Sequence, residues 1–131
     1  MPLSVILHMS IMGLALCFII VAVVLVKRKT GSQWVKKHRS RAITGGALAV
    51  SGVVTIAVFK SIKGFPHLAS PHAVAGLVTV ITVLAALALG TMLMSGNAGL
   101  RLIHRIAGWT ALVLFVITAV SGILRLMALS G

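Results

Sequence analysis

The chain has 131 residues, 60% of them hydrophobic and only 9% charged, and every charge is a Lys or Arg, for a formal net charge of +12. A soluble domain carries about a quarter charged residues, so this composition, with a mean hydropathy of +1.18, indicates an integral membrane protein. With no Asp or Glu anywhere, the chain cannot be a carrier that moves protons on an intramembrane carboxylate; the length would suit a small four-helix drug exporter, but that reading falls.

Four apolar runs follow one another: Leu3–Val26, Ala42–Phe59, Ala73–Met94 and Ile106–Leu124. A hydrocarbon core about 30 Å thick needs roughly 20 apolar residues in a helix, so each run can span once. The second run borrows length from the Trp34–Arg41 segment before it. None alternates apolar with polar residues, which argues against a β-barrel. The expected helices cover 3–26, 34–60, 71–94 and 100–126 of one domain spanning 1–131. The first has no basic n-region and no small-residue cleavage site, and reads as a retained helix rather than a signal peptide. Cys17 is a single mid-helix cysteine, read as a packing residue.

The connections are short. In the basic loop Lys27–Arg41, Ser32 is expected to cap an early start to the second helix. Gly64, Pro66, Ser70 and Pro71 break the chain between Lys60 and Pro71, and Pro71 suits the first turn of the third helix. Gly96, Asn97 and Gly99 form a turn before Arg101, with Asn97 the expected cap of the fourth helix. Short links make sequential helices antiparallel neighbours, so the expected fold is all-α, a transmembrane four-helix up-down-up-down bundle.

Seven cations (Lys27, Arg28, Lys29, Lys36, Lys37, Arg39, Arg41) lie in the first loop, and Arg101 and Arg105 fall on the same side; the other side has Lys60, Lys63 and Arg125. The positive-inside rule then puts the 27–41 loop in the cytoplasm and both termini outside, and the expected setting is a bacterial cytoplasmic membrane. These charges also attract anionic lipid headgroups. Nothing like a nucleic-acid-binding module surrounds them, so nucleic acid is not an expected partner.

His8, His38, His72 and His104 each lie near the start of an expected helix. Because the chain reverses at each crossing, His8 and His72 fall on one side and His38 and His104 on the other. Histidine within a membrane segment is costly and usually marks function. Zinc and copper sites gather three or four close ligands, often with Cys or a carboxylate, whereas each side here offers two principal histidines and no acid. Two imidazoles facing each other across a bundle suit the two axial positions of a haem iron, and an iron so ligated carries electrons without activating oxygen. The expected cofactors are therefore two noncovalent b-type haems; no CxxCH motif for covalent attachment occurs.

Small residues lie on the histidine faces: Gly108, Ala111, Thr118 and Gly122 with Phe115 after His104, Gly76 after His72, and Gly45, Ala49 and Gly52 after His38. They leave room for a flat macrocycle, though small residues also allow helices to pack closely in membranes. Arg39, Arg41, Arg101 and Arg105 at one site, and Lys63 at the other, are ready partners for anionic propionates. His67 reads as a solvated loop residue, as one touching a propionate, or as one taking a proton near an electron donor. Trp34 and Trp109 read as interfacial anchors, Trp109 alternatively as packing on a haem. Met9, Met12, Met92 and Met94 read as core filler.

These residues resemble the cytochrome b561 family. "LHMSIMGLAL" is similar to its first core-helix motif and "HLASPHAVAGLVTVI" to its third, a Ser-x-His followed by Gly-Leu. "IHRIAGWTALVLFVITAVSGI" is similar to the fourth, and "KKHRSRAITGGALAVSGVV" supplies the histidine and late glycine of the second. The resemblance covers nearly the whole chain. It implies transmembrane electron transfer through two haems, one ligated by His8 and His72 and the other by His38 and His104. Many members have six helices and this chain only the four-helix core; it also has no Tyr, which favours a quinol or a redox protein over ascorbate as donor. Expected partners are membrane lipid, a redox donor and acceptor, and either a second copy of the chain or the other subunits of a redox complex. A haem-containing anchor subunit and a haem-free structural subunit stay open as other function classes.

Overall fold

Four long helices account for nearly the whole chain: α1 (Leu3–Arg28), α2 (Trp34–Ile62), α3 (Pro71–Met94) and α4 (Arg101–Ser130), with one 3₁₀ turn at Ala98–Leu100 ahead of α4. The computed structural model describes residues 3–29 and 31–130, and among these there is no strand; the extreme termini, which the topology reading places outside the cell, lie beyond the described residues. All four helices are long and apolar enough to cross a membrane. A helix is the natural form there, because it satisfies its own backbone polar groups where no water can.

The helix ends follow local chemistry. Pro71 opens α3, and the Ser70 hydroxyl caps it by accepting from the Ala73 amide at 3.2 Å. Gly64 at φ +68° and Gly96 at φ +104° turn the chain out of α2 and α3, a conformation that costs glycine little. The other two expected caps do not form. The residue preceding α2 is Gln33, which makes no side-chain capping bond, so Ser32 lies one position too early. Asn97 precedes the 3₁₀ turn rather than α4, and its side chain caps nothing.

Contacts run in opposite directions along paired helices. In the first hairpin, Met12 lies by Gly52 and Ile19 by Gly45; in the second, His72 lies by Gly122 and His104 by Gly90. Both hairpins are therefore antiparallel. They meet along α2–α3 and α1–α4, while the diagonal pairs α1–α3 and α2–α4 make no close backbone approach among the described residues. This is an all-α, four-helix transmembrane bundle.

Its centre is narrow. Ala15, Ile19, Ala49, Val80, Val83, Ala111 and Phe115 form the core, with Phe115 and Thr79 the largest fully buried side chains. Thr79 donates to the Ala75 carbonyl at 2.8 Å and meets the Thr118 hydroxyl at 2.8 Å. With the Thr79 proton used on Ala75, Thr118 is the donor between them, so both buried hydroxyls are satisfied.

Candidate functional site

The four helix-start histidines are all half-buried and all anchored in one way: ring nitrogen Nδ1 bonds to the sister helix of the same hairpin. His8 on α1 reaches the Gly52 carbonyl on α2 at 2.8 Å, and His38 on α2 reaches back to the Ala22 carbonyl on α1 at 2.9 Å. On the second hairpin, His104 on α4 reaches the Ala86 carbonyl on α3 at 3.0 Å. A carbonyl only accepts, so Nδ1 in these three rings must carry the proton, and Nε2 of a neutral ring keeps its lone pair. His72 differs. Its Nδ1 meets the Ser121 Oγ at 3.0 Å. Ser121 spends its own proton on the Thr118 carbonyl at 2.8 Å, so its oxygen accepts and His72 too is the Nδ1–H tautomer. A ring nitrogen fixed by an N–H···O bond, with the other nitrogen unprotonated, is the arrangement of a metal-ligating histidine.

The bundle brings His8 and His72 to the end where α1 and α3 begin, and His38 and His104 to the end where α2 and α4 begin. The His38 and His104 rings, from diagonally opposed helices, lie with centroids 6.2 Å apart and planes at 79°. Two imidazoles on opposite sides of one metal ion, each bonded at about 2.0 Å, have ring centres roughly 6–6.5 Å apart. No cluster of three or more His, Cys, Asp or Glu side chains occurs among the described residues.

A family model described as eukaryotic cytochrome b561 matches residues 7–129. This chain belongs to the cytochrome b561 family. A cytochrome b561 is a haem-binding membrane protein of electron transfer, and the four membrane-length helices accord with it. The model's description is eukaryotic and lends no support to a bacterial membrane. Searches of curated proteins and of solved structures found no match.

The other expected residues of this cytochrome fall in several places. Arg39, Arg41, Arg101 and Arg105 are all exposed at the His38–His104 end, and Arg41 stacks on Phe18 with its guanidinium carbon 5.6 Å from the ring centre. Gly76 and Gly108 are half-buried; a Cβ at Gly76 would touch only the Thr118 methyl, at 3.7 Å, and one at Gly108 would meet nothing within 4 Å. Trp109 lies under the Lys27 ammonium, 4.9 Å from the ring centre, at the α1–α4 seam. His67 is an exposed loop residue with Nε2 3.2 Å from the Ser61 hydroxyl, and Lys60 pins that loop by donating to the Pro66 and His67 carbonyls at 3.0 Å each. Of the expected core methionines only Met12 packs inward, against Gly52; Met9, Met92 and Met94 are exposed. Their flexible thioethers face the bundle's surroundings instead of filling its centre.

For two of the small residues the packing reading holds. A Cβ at Gly45 would lie 2.8 Å from the Ile19 side chain and 3.2 Å from the Ala15 carbonyl, and one at Gly52 would lie 2.6 Å from the Met12 sulfur. These glycines close α1 onto α2 and leave no room for a macrocycle between them. By contrast, Gly90 and Gly122 seat the histidines: a Cβ there would come within 3.0 Å of His104 Cε1 and 2.8 Å of His72 Cε1. Spacing along one helix cannot reveal Gly90, because it lies across the interface from its histidine. Ser121 and Arg125 were also overlooked; with Ser70, Pro71 and His72 they line a cleft of about 350 Å³. The Ser4 hydroxyl, one turn from His8, is buried without a partner among the described residues. An unsatisfied buried hydroxyl beside His8, and a cation-lined cleft beside His72, fit a polar-edged group bound at that end.

Proposed function

We propose that this cytochrome b561 carries electrons between the two faces of a membrane through two noncovalent b-type haems, an outer one held by His8 and His72 and an inner one held by His38 and His104. The observation that carries this reading is the shared anchoring of all four rings, each with Nδ1 bonded to its own hairpin, which leaves the Nε2 lone pair of the neutral ring for a metal. The ring spacing of 6.2 Å between His38 and His104 supports it. A haem iron with two imidazole ligands supplies a one-electron couple with no open position for oxygen.

The protein's own groups hold and insulate. The Nδ1–H bonds fix each ring's orientation and raise its basicity. Phe115, Val80 and Val83 keep the centre of the bundle dry. Arg39, Arg41, Arg101 and Arg105 neutralise anionic propionates at the inner site, and Arg125 and Lys63 do so at the outer one. Gly108 leaves open space one turn along from His104, and Gly76 leaves only van der Waals contact with the Thr118 methyl one turn along from His72. The excess of cations at the inner end orients the 27–41 loop to the cytoplasm. The electron donor and acceptor are drawn from a quinol in the bilayer or a redox protein; an acidic protein would suit the exposed cations of this loop. That exposed loop also favours a second reading, in which the chain anchors a soluble redox enzyme to the membrane.

A reduced-minus-oxidised absorption spectrum with haem-to-protein stoichiometry tests the proposal. The expected result is b-type bands and two haems per chain, with His72→Ala removing only the outer one. A spectrum without b-type bands refutes the reading, and loss of the inner haem alone in His72→Ala refutes the pairing. Co-purification of a second, redox-active polypeptide would favour the anchor reading.

A further inference from the structure

Three of the four histidines are held by main-chain carbonyls, which no substitution of the residue bearing them deletes. His72 alone has a side-chain anchor as well. The Ser121 hydroxyl accepts from His72 Nδ1 at 3.0 Å while donating to the Thr118 carbonyl at 2.8 Å. Such a chain of hydrogen bonds polarises its central hydroxyl and strengthens it as an acceptor. Serine in a membrane helix often bonds back to its own main chain; here that habit determines which way the hydroxyl proton points, and so which tautomer His72 must adopt.

The surroundings of His72 make this bond matter. On one side the ring is pressed against Gly122, where a Cβ would stand 2.8 Å from Cε1. On another it borders the cleft of about 350 Å³ shared with Ser70, Pro71 and Arg125. The ring therefore has room to swing away from Gly122, and the Ser121 hydroxyl is the side chain that anchors it, alongside the Thr118 main-chain carbonyl.

We propose that Ser121 is a positioning residue for the outer site, holding His72 as the Nδ1-protonated imidazole with Nε2 ready to ligate, and that this makes the outer site the one whose affinity and potential are set by a replaceable side chain. The proposal rests on the dihaem reading above. A hydrogen bond to Nδ1–H raises the basicity of the ligating nitrogen, and a more basic ligand favours the oxidised, more positive iron. Removing the bond should weaken haem binding at the outer site and raise its potential.

The test compares wild type, Ser121→Ala and Ser121→Thr as full-length chains in lipid nanodiscs. In the haem-free chain, ¹⁵N-histidine NMR should show His72 as the Nδ1–H tautomer in wild type and Ser121→Thr, and as a mixture in Ser121→Ala. In the haem-loaded chain, Ser121→Ala should bind the outer haem roughly 10–100-fold more weakly. Its outer potential should rise by about 59 mV for each tenfold loss of preference for the oxidised form. The inner haem should be unchanged, and Ser121→Thr should restore both values. Unchanged tautomer, affinity and potential in Ser121→Ala overturn the proposal. So does an equal shift of both haems, which would mean a general loosening of the bundle. A wild type that shows the expected tautomer but takes up no haem overturns the dihaem reading instead, and with it the part of the proposal that concerns affinity and potential.

Discussion

The two hairpins use glycine for opposite ends. In α1–α2, Gly45 and Gly52 draw the helices together until Ile19, Met12 and the Ala15 carbonyl fill the space a side chain would take, and both histidines of that hairpin bond to main-chain carbonyls. In α3–α4, Gly90 and Gly122 make room for His104 and His72 themselves, and a buried pair of threonines joins the helices. In the first hairpin, then, glycine serves packing, and the ring anchors come with the main chain. In the second it serves the rings directly. A glycine on a histidine-bearing helix thus has no fixed meaning; what stands across the interface decides it.

Substitutions separate the two roles. Gly45→Val should have the largest effect, because its nearest neighbours include backbone atoms of α1 that cannot rotate away. Overpacking of this kind costs about 1–3 kcal/mol and sometimes more. Thermal unfolding followed by helical circular dichroism should show a lower midpoint, with both haems lost together. Loss of one haem at an unchanged midpoint would mean that Gly45 belongs to a site. Gly122→Ala should act locally: the haem-free chain keeps its unfolding midpoint while the outer haem binds roughly 10–100-fold more weakly, as when an orienting partner of a ligand is lost. Gly90→Ala should do the same at the inner site to a smaller extent, since the contact with His104 is looser; about tenfold is expected, measured by haem titration. The smallest change is expected for Thr79→Val combined with Thr118→Val. Replacing both partners of a buried hydrogen bond by groups of the same shape is nearly neutral, within about 1 kcal/mol. A large drop in midpoint for that double variant would show that the hydroxyl pair, and not its shape, joins α3 to α4.

The bundle was legible in the sequence because its causes are local and additive. Each apolar run is long enough to cross, and each connection is too short to do anything but reverse the chain, so Leu3–Val26 and its three successors lead directly to α1–α4. The histidines stood out because an imidazole is conspicuous among Leu, Val and Ala. Their anchors did not. Gly52, Ala22 and Ala86 contribute only a carbonyl, which every residue has, so no residue type marks them. Nothing in the sequence sets Ser121 apart from an ordinary membrane-helix serine, and Gly122 is one more small residue on its helix face. The helix caps misled for a related reason. Ser32 and Asn97 are good capping types, yet Gln33 and the 3₁₀ turn at Ala98–Leu100 hold the positions that matter.

The diagonal helices make no close backbone approach among the described residues, and on the proposed pairing each histidine pair takes one member from each hairpin. Neither hairpin could then capture a haem alone. Assembly becomes the meeting of two half-built sites at both ends of the seam, and each haem, once clasped, acts as a rivet that keeps the halves from parting in the bilayer. A chain expressed without haem should accordingly keep each hairpin intact, with the seam between them held by the narrow core alone.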